Sequence, residues 1–186
     1  MVVATSVLQV LESSTSTGAK DKASPNPAAE CPSMSDVVKA HLEAHDWKYK
    51  EKEYPDPNRR LFLSGFQGEG GSFQVVFDMN EGSQTLSISV RSQFNFPRAH
   101  RLPLCEYIAR ANYSLILGSF EIDMSDGEVS FKVASFAENF TDAMVLRNFH
   151  VGLSAMNEHF PKMMKVAYGV LTTEQAFAKE EEQKGQ

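Results

Sequence analysis

Apolar and polar residues alternate through the middle of the chain, and the alternation predicts strands. Phe73, Val75, Phe77 and Met79 share one face of a strand from Ser72 to Met79. Leu86, Ile88 and Val90 do the same from Gln84 to Arg91, with Ser87, Ser89 and Arg91 opposite, since successive strand side chains point to opposite faces. A further strand runs from Arg60 to Phe66, and Gly68-Glu69-Gly70-Gly71 and Asn80-Glu81-Gly82 separate the three, so the sheet is antiparallel. Upstream, Trp47 to Glu53 alternates aromatic residues with lysine until Pro55 and Pro57 stop it. It reads as a strand with a basic outer face.

Elsewhere the apolar period is helical. Met34, Val37, Val38 and Leu42 follow Ser33 or Ser35, either a suitable N-cap, and this helix ends near Asp46. Pro97 to Pro103 forms a break, after which Leu104, Tyr107, Ile108 and Ala111 line a second helix. Thr141 caps a third, carried by Val145, Leu146, Phe149, Leu153, Met156 and Phe160 until Pro161 kinks or restarts it. Thr172 and Gln175 have capping-box spacing and begin a short final helix, before a charged tail.

Between the second and third helices, Asp126-Gly127 fits the centre of a two-residue hairpin turn. That register sets Met124 opposite Val129, Ile122 opposite Phe131 and Phe120 opposite Val133, with Glu121 facing Lys132 on the other side. Upstream of the hairpin, Asn112 is suited to bonding stray backbone groups at a helix exit, and Gly118 to a bulge or a close approach. Because these strands are apolar on one side only, the predicted fold is a two-layer α+β domain: a mainly antiparallel sheet with helices on one face. Order is expected from 34 to 177. Residues 1–33 are rich in small polar residues and proline and read as a disordered arm, with 178–186 as the charged tail.

At 186 residues with a formal net charge of −6, the chain is long enough to bury a core and is poorly suited to general phosphate-backbone binding. Cys31 and Cys105 are too few and too scattered for a disulfide framework or a zinc site. The N-terminus has no basic region ahead of its apolar residues, and no apolar run reaches membrane-spanning length. The expectation is a cytoplasmic protein.

The order helix, antiparallel strands, helix, hairpin and long C-terminal helix is that of type III secretion chaperone-like folds. Three segments sharpen the likeness: Leu42 to Tyr49; Ala111-Asn112-Tyr113 running through Gly118-Ser119-Phe120-Glu121 to Asp126-Gly127-Glu128-Val129; and Phe160-Pro161 through Gly169. They resemble the YbjN family, commonly labelled a bacterial sensory transduction regulator, over roughly Met34 to Phe177. The resemblance implies a regulatory or chaperone-like protein that works by binding other proteins, as a homodimer. It supplies no catalytic residues.

Candidate chemistry is sparse. His41 and His45 lie one helical turn apart, where they could share a metal, but the HExxH glutamate is missing and no third ligand is evident. Helix-edge histidines beside Val38 and Leu42 are the plainer reading. A metal-dependent or small-molecule enzyme using His41 and His45 is one alternative function. Weak nucleic-acid binding through Arg98 and Arg101, which stand among Phe94, Phe96 and His100, is another. The glycines from Gly65 to Gly71 lie between strands rather than before a helix, so they read as a hairpin loop, not a phosphate cradle. No cofactor is expected.

The leading function is therefore a non-enzymatic interaction module whose partner is a protein, and the alternation suggests where it docks. If Phe66 pairs with Phe73, Phe62 faces Phe77 inward while Leu63 faces Val76 on the outer side, with Leu61 beside them. Those three would be apolar on a face otherwise built from Gln74, Asp78, Ser87, Ser89 and Arg91. The competing readings are that the arm or the final helix covers them, or that a one-residue slip returns Leu61 and Leu63 to the core.

Overall fold

The computed structural model describes residues 32–136 and 140–184, with side chains up to residue 178. The predicted disordered arm lies outside the described residues up to Cys31. Ser33 caps the first helix, α1 (Met34–Ala44), and its hydroxyl and the Asp36 carboxylate bond each other's backbone N–H in a capping box. This satisfies donors that a helix start otherwise leaves unpaired.

Six antiparallel strands follow: β1 (Tyr49–Lys52), β2 (Arg59–Gln67), β3 (Ser72–Asn80), β4 (Thr85–Asn95), β5 (Ser119–Ile122) and β6 (Glu128–Phe136), in the spatial order β1-β2-β3-β4-β6-β5. The alternation sets the inner face as predicted, with Phe73, Val75, Phe77, Met79, Leu86, Ile88 and Val90 all in the core cluster. Register between β2 and β3 is the predicted one, Phe66 against Phe73, Phe62 against Phe77 and Leu63 against Val76. Gly68 to Gly71 closes that hairpin, with the Gly68 N–H donating to the Gly71 carbonyl at 2.9 Å.

The β5–β6 hairpin departs from expectation. Ile122 pairs with Val129 and Phe120 with Phe131, a slip of two residues from the predicted register. An even slip keeps every side chain on its predicted face, so the apolar side survives, but Met124 moves into the turn and is 50 % exposed. The cause is a longer loop. Asp123 accepts at its carbonyl from the Gly127 N–H at 2.7 Å, and its carboxylate accepts from the Ser125 N–H and hydroxyl, bonds that hold its pKa below the usual carboxylate value. Lys132 still reaches Glu121 at 2.6 Å, diagonally rather than directly opposite.

Two proline expectations also need correction. The break predicted from Pro97 to Pro103 is shorter: a 3-10 turn, Arg98–His100, leads directly into α2 (Arg101–Tyr113). Pro103 sits in its first turn, where a backbone N–H has no intrahelical acceptor to lose. Pro161 neither stops nor restarts the third helix, and α3 (Asp142–Ala167) runs unbroken through it, capped by Thr141 as predicted. The carbonyl that Pro161 leaves without its helical donor belongs to Asn157, and the glycine loop packs there. A Cβ on Gly70 would lie 2.9 Å from that oxygen, and the Gly70 N–H donates to Asn157 Oδ1 at 3.1 Å. The loop is thus a docked hairpin whose glycines permit contact with α3.

The final helix, α4 (Thr173–Lys184), begins with the predicted Thr172–Gln175 capping box and runs on into the segment read as the charged tail. α1 packs on β3, α2 on β5, α3 on β4 and β6, and α4 on α2 and α3. The result is the two-layer α+β arrangement. Met156 and Met163 are fully buried between the layers, as core rather than surface.

Candidate protein-binding surface

The sheet face away from the helices carries Leu61, Leu63 and Val76. Val76 and Leu61 are 3 % and 8 % exposed and Leu63 is half-buried, yet none belongs to the core cluster or packs against it. Their burial lies on the other side of the sheet from the core. At the rim, Leu61 pairs with Asp78 across the ladder. Asp78 is held by Arg59 through bonds of 2.8 and 2.5 Å, which push the Arg59 pKa above its ordinary value, the side-chain bond being the largest cause.

Next to Leu63 the face opens into a cleft of about 460 Å³, lined by Lys48, Tyr49, Lys50, Leu63, Gly65 and Gln74 among others. β1 begins at Tyr49, paired with Ser64, so Gly65 lies beyond the first residue of the neighbouring strand. A Cβ built there would meet nothing within 4 Å. Lys48 and Lys50 are exposed at one edge, the basic outer face predicted from the alternation. Tyr49 donates its hydroxyl to Glu43 Oε1 at 3.1 Å, and burial first, then that bond and the nearby carboxylates, raise its pKa. It remains a neutral donor.

Two residues on this face differ from the sequence reading. Gly65, counted with the loop glycines as well as in the Arg60–Phe66 strand, lies within β2, where an isolated glycine signals an unfilled position or a close approach. Arg91 was read only as an outward polar residue. Its Nη1 lies 3.6 Å from Glu128 Oε1, its Nε is buried without a hydrogen-bond partner among the described residues, and it lines a separate hollow with Glu121, Ser130 and Lys132 rather than the cleft at Gly65.

The alternative sites resolve differently. His41 is fully buried, and its Nδ1 meets the Asp142 carboxylate at the start of α3. His45 Nδ1 lies 2.9 Å from the His41 carbonyl oxygen, and the two rings are 4.3 Å apart between centroids. Two of the four ring nitrogens are thereby engaged in tying α1 to itself and to α3, and among the described residues no group of three or more His, Cys, Asp or Glu side chains could hold a metal. Arg101 is 9 % exposed, and its guanidinium donates to the carbonyls of Phe96, Met124 and Ser125 at 2.8 to 3.2 Å. It braces the β5–β6 turn, while Arg98 is exposed. The two arginines do not form one cationic surface.

A model of the YbjN family, described as "Putative bacterial sensory transduction regulator", matches residues 35–164. No curated protein matches the chain. Among solved structures, the chain is similar to YbjN from E. coli, described as "a putative transcription regulator", with a TM-score of 0.50 and 11 % identity over 70 % of this chain and 90 % of that one. It is also similar to an uncharacterized protein from Methanothermobacter thermautotrophicus, with a TM-score of 0.48 and 10 % identity over 73 % of this chain and 97 % of that one. At 11 % identity the likeness to the E. coli structure is one of fold. No helix among the described residues is long and apolar enough to cross a membrane.

Proposed function

The chain belongs to the YbjN family, and from that premise we propose that it is a non-enzymatic regulatory or chaperone-like interaction module, homodimeric and cytoplasmic. Its protein partner docks on the outer sheet face at half-buried Leu63, with Leu61 and Val76, themselves already buried, as its apolar surroundings. The observation that carries the reading is Leu63, half-buried on the face opposite the helices, in register with Val76 and lining the open cleft at Gly65. An apolar anchor flanked by the exposed cations Lys48 and Lys50 has the makings of a protein interface: a desolvated centre with a polar rim. The lysines at the cleft edge favour a partner segment that brings carboxylates beside its apolar residues.

The test is a comparison of captured partners. Tagged wild-type chain and its Leu63→Glu variant, both shown to be folded, are used to isolate proteins from the native cell. A partner retained by the wild type and lost by the variant supports this face. A partner retained equally by both removes it.

A further inference from the structure

On the helical side of the molecule, α3 and the α2–β5 connection enclose a second cleft of about 410 Å³, lined by Leu115, Arg147, Val151, Ser154, Ala155 and Glu158 among others. In the same connection as the lining residue Leu115, Ile116 is 102 % exposed, Tyr113 94 % and Leu117 39 %. The core gives these residues no role.

We propose that this α3 face is the surface through which two copies of the chain pair. The argument is charge complementarity. Arg147, Val151, Ser154 and Glu158 recur every three or four residues on the outward side of one unbroken helix, so they form a single stripe. Arg147 and Glu158 are equidistant from a point between Gly152 and Leu153. A twofold axis through that point, setting two α3 helices antiparallel, brings Arg147 of each copy against Glu158 of the other. The small residues Val151 and Ser154 then meet at the centre. Such an arrangement is isologous and closes at two copies.

Glu158 is 59 % exposed at its side chain, and its ion-pair partners among the described residues are Lys162 at 3.6 Å and His159 at 3.9 Å, while Arg147 is exposed and makes no ion pair with any described residue. Both charges are available to a second molecule. Ile116 and Leu117, exposed and next in the chain to the lining residue Leu115, supply the apolar contact that a charge pair alone would not.

This inference rests on the homodimer in the proposed function, and charge reversal separates the two. Sedimentation equilibrium is run on the full chain, on Arg147→Glu, on Glu158→Arg, and on an equimolar mixture of the two variants. Each single variant sets like charges together twice per dimer and is expected to weaken dimerisation about tenfold or more. The mixture restores it. In a mixed dimer the introduced carboxylate of one molecule meets the introduced guanidinium of the other, and at the second contact the unchanged Glu158 of the first meets the unchanged Arg147 of the second. Ile116→Ser weakens the dimer without that rescue. A wild-type dimer unaffected by either reversal, or weakened by both but not recovered in the mixture, overturns the α3 pairing and leaves the homodimer to another surface. A monomeric wild type overturns both the pairing and the homodimer. Circular dichroism of each variant shows that a lost dimer is not a lost fold, as expected for exposed positions.

Discussion

Asn112, near the end of α2, holds both backbone groups of Phe120 in β5: its Nδ2 donates to the Phe120 carbonyl at 3.0 Å, and its Oδ1 accepts from the Phe120 N–H at 2.8 Å. β5 is an edge strand, bonded on one side only to β6. In an antiparallel pair alternate residues turn both backbone groups away from the partner, and the Asn112 amide takes the place of a further strand there. Asn112→Ala leaves a buried residue with two unpaired backbone groups and is expected to cost about 2 kcal/mol in denaturant unfolding. Asn112→Asp, which keeps the acceptor and loses the donor, should fall between the two.

Arg101 joins three carbonyls from two segments, so its removal acts on the same hairpin from the other end. Arg101→Met is expected to lower stability by about 3 kcal/mol, because a buried guanidinium bonded to carbonyls leaves each of them unsatisfied. Arg98→Ala, at an exposed position, should leave the unfolding midpoint where it is. Equal effects from the two would contradict the structural role assigned to Arg101.

Glycine substitutions should separate packing from open space. Gly70→Ala places a methyl against the Asn157 backbone and is expected to cost about 1–3 kcal/mol, the scale of overpacking. Gly65→Ala meets nothing, and its stability should stay within about 0.5 kcal/mol or rise slightly. Thermal unfolding of the pair checks this.

Stability should also fall on mild acidification. Partial desolvation, although the residue is exposed, and after it the charges of His41 and His45, hold the pKa of His150 below the ordinary histidine value. The folded state therefore binds fewer protons than the unfolded one. The His150 contribution is fully present above the unfolded pKa of about 6.5 and is lost as pH falls through and below it. Midpoints measured from pH 8 down should decline across that window, and His150→Gln should flatten part of the decline.

The physical reasons why some of this was legible in the sequence are local. Strand faces, helix caps and the β2–β3 register follow from period-two alternation and from neighbours in sequence, as with Ser33 and Asp36 or Thr172 and Gln175. The role suggested for Asn112 needed only a helix exit followed closely by a strand. What failed depends on partners far along the chain. The β5–β6 loop length is set with Arg101 bonding Met124 and Ser125, and Pro161 is accommodated where the glycine loop packs on Asn157. Pattern carries no signal for either. The candidate surface was half legible: alternation placed Leu63 and Val76 together, but the cleft at Gly65 depends on where β1 begins.

The central claim is that Leu63 serves a partner rather than the fold, and Leu63→Glu tests it most directly. Val76, at 3 % exposure, would confound the result, because truncating a buried aliphatic side chain costs stability in any case. Denaturant unfolding and partner affinity are measured on the same preparation. The account predicts a stability change within about 1 kcal/mol together with a loss of affinity of about tenfold or more. A fall of several kcal/mol in stability, or unchanged affinity in a stable variant, would contradict it.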